Sequence, residues 1–356
     1  MTESQPEQTS QPIRGRGAAE NPANRFEELH YELDRDDSGQ VPAPETKFLR
    51  DTTSSIITYN ESPDVGFDAS INPYRGCEHG CVYCYARPTH EYLGFSAGLD
   101  FESRILVKEN APELLRRELV SGNWKPQVLA MSGVTDPYQP IERQIQLTRR
   151  CLEVLRDFRN PVSMVTKNHL ITRDTDVLAE LADYNAVSVH LSITTMDNRL
   201  RRFMEPRTSH IQKRLEALTT LSEAGVPCGV LIAPVIPGLT DHEIPAILKA
   251  VAEAGGSFAG YVVLRLPHNL TEQFSGWLDR HYPDRKEKII NRIRSLREGR
   301  LNQTGFGERM RGSGIHADTI RRLFRIGLEQ SGLNSEGPAL SVEGFHNPAQ
   351  RQLKLF

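Results

Sequence analysis

The chain has 356 residues, of which 38% are apolar and 25% charged, with a net charge of −3. That suits one large globular α/β domain with extensions, or two domains. No run of about 18 apolar residues is present to span a membrane, and the polar start "MTESQPEQTSQPIRGRGAAE" lacks the apolar stretch of a secretory signal. The expected location is therefore cytoplasmic, where clustered thiols read as metal ligands or redox centres rather than disulfides.

Residues 1–62 form a polar, acidic extension. The first 20 or so are expected to be disordered, and "RFEELHYELDRDD" reads as a short helix or a surface arm. From residue 63 the pattern alternates. The strand candidates are "DASINP", "QVLAMSG" (127–133), "PVSMVTK" (161–167), "AVSVHLSIT" (186–194), "PCGVLIAPVIPG" (227–238) and "GYVVLRLP" (260–267). Between them lie amphipathic helices: 140–158 starting at Pro140, 172–184 capped by Thr172, 209–225 ending at Gly225, and 241–255. Six strands separated by helices predict a parallel sheet, either an open barrel or a doubly wound one, with its site at the C-terminal strand ends. Residues 271–356 read as a basic, mainly helical region interrupted by "RLNQTGFGERMRGSG".

Charge is uneven. Residues 1–70 carry a net −8 and residues 280–325 a net +8. The basic segment either meets an anionic partner or faces the acidic segment or solvent. For nucleic acid, Arg309, Arg311, Arg321, Arg322 and Arg325 would be the phosphate contacts, though few aromatic residues interleave them. A helical cap over the open side of the barrel explains the segment equally well.

Three of the five cysteines fall within "NPYRGCEHGCVYCYAR". Cys77, Cys81 and Cys84 are spaced C-x3-C-x2-C. A zinc ion normally takes four ligands, so His79 or His90 would have to complete such a site. A [4Fe–4S] cluster takes one ligand per iron, and three cysteines leave one iron open. Cys151 and Cys228 read as core filling.

The spacing, with Tyr83 just before the last cysteine, resembles the radical S-adenosylmethionine (SAM) enzymes. The resemblance implies a partial (βα)6 TIM-like barrel, a [4Fe–4S] cluster and SAM chelated by the free iron. It also implies that one electron splits SAM to methionine and a 5′-deoxyadenosyl radical, which removes hydrogen from a substrate. A reducing donor such as flavodoxin or ferredoxin is then required.

Within that group the chain is most similar to the spore photoproduct lyase branch, in "CVYCYAR", "VTK", "HLSIT", "EPRTS", "KRLEAL" and "LIAP". This carries expected cofactor contacts onto Tyr83, Tyr85, Thr135, Lys167, Ser192, Glu205, Arg214 and the Ala233 backbone. One position departs. Those lyases supply a hydrogen atom from a cysteine near the end of the second strand, and "AMSGVTDPYQP" has Gly133 there. The "TDPYQPIE" loop is then expected to shape a different pocket, with Asp136, Tyr138 and Glu142 facing the substrate. The rival readings are a DNA photoproduct lyase and a zinc-stabilised nucleic-acid-binding module.

Overall fold

A computed structural model describes residues 11–27 and 43–348. The arm expected within 25–37 lies almost wholly outside them. The ten strands are β1 (Lys47–Arg50), β2 (Ile57–Tyr59), β3 (Ala69–Ile71), β4 (Tyr74–Arg75), β5 (Arg104–Val107), β6 (Leu129–Met131), β7 (Val162–Thr166), β8 (Val187–Ser192), β9 (Cys228–Val235) and β10 (Phe258–Val263).

The main sheet runs β10-β9-β8-β7-β6-β3-β2. From β3 to β10 every neighbouring pair is parallel, and β2 closes the edge antiparallel. Strands follow each other in sequence order, without the reversal that defines a doubly wound sheet. All six parallel strands therefore present their C-terminal ends along one rim. A small sheet, β1-β5-β4, pairs the two strands in the connection between β3 and β6 with β1, which precedes β2.

The helices pack by their apolar faces. In Leu147–Phe158 the residues Leu147, Cys151, Leu152, Val154, Leu155 and Phe158 are buried, at roughly 1.5–3 kcal/mol for each large side chain. Leu152→Ala in this face would cost about 2–5 kcal/mol. Cys151 and Cys228 are buried in the core, as expected.

The single helix expected over 140–158 is broken. Gln146 takes φ +50° and separates Glu142–Ile145 from Leu147–Phe158. The Glu142 carboxylate causes the break: it accepts from the backbone N–H groups of Thr148 (2.9 Å) and Arg149 (3.4 Å). These are donors that a helix start leaves unsatisfied. Thr172 is not a cap either. Asn168 accepts from Leu170 N, and the helix proper begins at Thr175.

The termini differ from expectation. Residues 11–27 are not a disordered lead but a strap against the rim. Ile13 and Ala18 pack on Leu99, and Asn24 donates to the carbonyls of Glu91 (2.9 Å) and Phe95 (3.0 Å). At the other end, helices Leu270–His281, Lys286–Ser295 and Gly314–Ser331 are present, but residues 332–348 are irregular. This tail runs along the opposite end of the sheet, with Ala259 N–H donating to Asn334 O (2.9 Å) and His346 N–H to Phe158 O (3.0 Å). The first two C-terminal helices share a core with the cysteine segment, where Trp277, Phe274 and Ile293 join Cys81, Val82 and Tyr83.

Candidate active site

The cysteine loop follows β3 and β4 at the strand rim and is shaped by backbone first. Gly76 (φ +79°) and Gly80 (φ +65°) take left-handed turns. A Cβ on Gly80 would stand 2.6 Å from a Glu102 oxygen, so glycine is required there. Outside partners then fix the loop. Cys77 N–H donates to Phe101 O (2.9 Å) and Val82 N–H to Met204 O (3.0 Å). Glu78 N–H donates to Gln139 Oε1 (3.0 Å).

Below the loop, Arg87 Nε donates to Cys81 O (2.9 Å), and its Nη2 bonds Glu102 Oε1 at 2.5 Å with both side chains fully buried. Glu102 also accepts from the strap, from Gly17 N–H (3.0 Å) and Ala18 N–H (2.7 Å). The buried pair is thus satisfied on every side, the condition under which a buried charge is tolerated.

Cys77 and Cys81 are buried, Cys84 is partly so, and none is in a disulfide. Burial pushes all three thiols up, for Cys77 well above the ordinary range, with the Asp136 charge adding to it. A bare thiolate is therefore disfavoured, and a bound cation would have to draw it out. Against that burial, the nearby backbone N–H of Asp136 works to lower the Cys77 thiol, and the Arg87 charge and the backbone N–H of Ala86 work to lower Cys84. Such donors stabilise sulfur that carries negative charge.

The residues fit a multi-iron cluster better than one zinc ion. Each of the two histidines offered for zinc has one ring nitrogen committed outside the cysteine set. His90 Nε2 lies 2.9 Å from Arg104 O, and His79 Nδ1 lies 3.2 Å from Asp136 Oδ2. Among the described residues no three His, Cys, Asp or Glu side chains are set to grip a single ion. Zinc needs ligands converging to about 2.3 Å, whereas cluster thiolates each hold a different iron.

Beside the cysteines, the ends of three adjacent strands meet at one ammonium. Lys167 Nζ, one residue past β7, donates to Ser192 Oγ of β8 (2.7 Å) and to Ala233 O of β9 (3.2 Å). It lies 3.2 Å from Glu205 Oε1 and 5.6 Å from the Tyr83 ring centroid. Glu205 is fully buried. It accepts from Arg214 Nη2 (2.5 Å) and from the Tyr83 hydroxyl. Burial works to raise this carboxyl, and Arg214, Lys167 and Tyr83 outweigh it, holding it well below the usual carboxylate range. Arg214 in turn donates to Ser192 O (2.7 Å). Tyr83, Lys167, Ser192, Glu205, Arg214 and Ala233 are thus one connected group. Thr194 belongs to it as well, donating to Ala233 O (3.1 Å). It lies just past the "HLS" that ends β8, and strand-end position alone did not single it out.

The other expected contacts stand apart. Thr135 donates to Gly76 O (2.7 Å), which commits its hydroxyl to the cysteine loop. Tyr85 is 49% exposed and donates to Gly133 O (2.5 Å), with the Arg265 guanidinium carbon 5.5 Å from its ring centroid.

The residues expected to face the substrate are corrected. Tyr138 and Glu142 are fully buried. Tyr138 donates to Asp174 Oδ2 (3.0 Å), while Glu142 accepts from Tyr74 and from Arg173 Nη2 (2.8 Å). Asp136 accepts from Thr166 Oγ1 (2.7 Å) and Lys167 N–H (2.8 Å). Burial works against its charge, but His79 and these donors hold its pKa down. Together the three brace the loop after β6.

The basic segment is also spread over different surroundings. Arg309 pairs with Asp64, Arg311 sits over the Tyr261 ring, and Arg321 pairs with Asp318 (2.6 Å). Arg322 and Arg325 are exposed on the Gly314–Ser331 helix.

The Radical SAM superfamily model matches residues 71–251. The chain belongs to that superfamily. The radical SAM match starts at the end of β3 and stops before β10, so it leaves out Arg265 and the C-terminal helices. An uncharacterized protein of Mycobacterium bovis is 38% identical over 232 residues, spanning 65% of this chain and 67% of its own. The spore photoproduct lyase of Bacillus subtilis is 27% identical over 168 residues, 45% of this chain and 43% of its own. A solved tyrosine-to-phenylalanine variant of a spore photoproduct lyase superposes with TM-score 0.57 at 17% identity, covering 81% of this chain and 80% of that one. The mixed α/β fold, with its parallel sheet and flanking helices, is shared with that enzyme. No helix of the described residues is long and apolar enough to cross a membrane.

Proposed function

We propose that this protein is an enzyme that cleaves SAM reductively and abstracts a hydrogen atom from a carbon of its substrate, with Cys77, Cys81 and Cys84 holding the cluster. The observation that carries this is the adjacency of a three-thiol loop to the Lys167–Glu205–Arg214 group at the same strand rim. On this reading the six parallel strands are a partial (βα)6 TIM-like barrel, residues 63–270 are its core, and the location is cytoplasmic. When bound, the [4Fe–4S] cluster and SAM supply the one-electron chemistry and the hydrogen abstraction.

The chain's own residues bind and orient. Lys167, 13% exposed, offers a point charge to the SAM carboxylate. Ser192, Thr194 and the Ala233 carbonyl hold that ammonium in place and stand ready to bond ribose or amine. Arg214 keeps Glu205 ionised, and Glu205 fixes both Lys167 and the Tyr83 hydroxyl. The Tyr83 ring shields the site from water. A donor such as flavodoxin or ferredoxin supplies the electron.

A second reading is a photoproduct-type DNA lyase, which the likeness to spore photoproduct lyase supports. Gly133 provides no thiol, so a hydrogen donor would have to come from elsewhere in the site.

Anaerobically reconstituted protein, given SAM and dithionite, is expected to hold about four irons per chain and to form 5′-deoxyadenosine over time. Replacing any one of Cys77, Cys81 or Cys84 by Ala should reduce both to background. Zinc without cleavage, or cleavage by the triple variant, would refute the reading.

A further inference from the structure

A guanidinium with no carboxylate within salt-bridge distance among the described residues stands at the C-terminal end of β10. Arg265 lies two residues past that strand and is partly buried. Its Nε is shut off from solvent and has no hydrogen-bond partner among the described residues. Its one side-chain hydrogen bond among them runs from Nη1 to the Met310 sulfur, 3.6 Å away, and sulfur is a weak acceptor.

Two more arginines crowd behind it. Arg297 is fully buried and donates to Leu264 O (2.6 Å) and Arg309 O (3.1 Å), and its Nε also lacks a partner among the described residues. Of the three, only Arg309 is paired with a carboxylate, that of Asp64. Burial and then the Arg309 charge push the Arg265 pKa down, and burial and then Arg265 push Arg297 to about 10. Buried charge is tolerated when it is paired. This cluster sets three guanidinium groups against one carboxylate, Asp64, whose charge also acts on Arg265. An arginine-lined recess elsewhere, of about 480 Å³, lies between Arg14, Arg16 and Arg207. There Glu78 already bonds Arg207 at 3.0 Å.

The deficit faces the site. The Arg265 guanidinium lies over the ring of half-exposed Tyr85, the residue after Cys84, and Tyr85 is anchored on Gly133 O. A Cβ at Gly133 would stand 3.6 Å from the side chains of Ser70 and Asn72, in ordinary contact with both.

We propose that Arg265 receives an oxyanion of the substrate, a phosphate or a carboxylate, and so holds the substrate across Tyr85 beside the cysteine loop. Its planar fork of donors suits bidentate contact with either group. The role assigned to the ligand, substrate rather than effector, rests on the radical SAM reading above.

The test is residue-resolved arginine labelling of the reconstituted full chain with phenylglyoxal, read by peptide mass spectrometry. Inorganic phosphate or acetate is the probe, and exposed Arg300 the internal control. At an anion concentration ten times its dissociation constant, labelling of Arg265 should slow about tenfold by mass action, while Arg300 is unaffected. Protection by phosphate alone identifies a phosphate ligand, and protection by acetate alone a carboxylate. No protection by either, equal protection of Arg300, or no labelling of Arg265 at all overturns the proposal. Iron content and SAM cleavage are measured on the same sample. Protection without cleavage would leave the oxyanion site standing and sink the enzymatic reading instead.

Discussion

Two stretches of the strand rim use the same kinds of residue for opposite ends. The loop after β6 brings Asp136, Tyr138 and Glu142, and each is bonded inward, to backbone, aspartate and arginine respectively. The ends of β7, β8 and β9 bring Lys167, Ser192 and Ala233 around one partly exposed ammonium. Acidity and aromaticity therefore do not mark a substrate face. A polar group whose every bond is internal is scaffold, whereas a charge with an open side can exchange partners.

The contrast can be broken most severely at Arg214. Arg214→Met strands the buried Glu205 charge and should destabilise the protein by roughly 3–5 kcal/mol. The urea midpoint measures this, and adding Glu205→Leu should restore much of it. Glu142→Ala comes next. Removing the acceptor of Thr148, Tyr74 and Arg173 should cost roughly 2–4 kcal/mol, with dithionite-driven SAM cleavage per folded molecule unchanged. Cleavage lost in a fully folded sample would put Glu142 back in the site.

Lys167→Met should show the reverse balance. Glu205 keeps Arg214 and Tyr83, so stability falls by only about 1 kcal/mol. SAM affinity measured by equilibrium dialysis should fall at least about tenfold. Equal affinity would remove Lys167 from the cofactor contacts.

The smallest effect is a slope with pH. Burial pushes fully buried His90 down from 6.5 to about 4. Between those values the unfolded chain takes up a proton that the folded one refuses. Stability contributed by His90 is thus complete above pH 6.5 and lost as pH falls toward 4. Urea midpoints at pH 7 and pH 5 should differ, and less so in His90→Gln. An equal slope in both would assign the acid sensitivity to other groups.

Much of this was legible in the sequence because it is local. The C-x3-C-x2-C spacing and the βα alternation can each be read from a few neighbouring residues, whereas Lys167, Ser192 and Ala233 are singled out only by the family resemblance of the segments around them. Glu142 could not be read that way. Its place as the third residue of an apparent helix looks unremarkable, until the break at Gln146 turns it onto the next helix start. Arg265 was equally hidden, since lacking a carboxylate partner is a property of distant neighbours such as Arg297 and Met310. The strap was invisible for the same reason. "RGRGAA" has the composition of a loose tail, and its partner Glu102 lies some 85 residues on.

That strap has a consequence for how the protein is made and cut. A Cβ on Gly17 would come within 1.8 Å of Gly80 O, so the two backbones touch, and strap and cysteine loop share Glu102 as anchor. The strap can therefore reach its place only after residue 102 has been made, as one of the long-range contacts that order the chain slowly. A truncation starting at residue 63, where the composition changes, would keep every cysteine. It would still leave the Glu102 carboxylate without two of its donors and the outer wall of the loop bare.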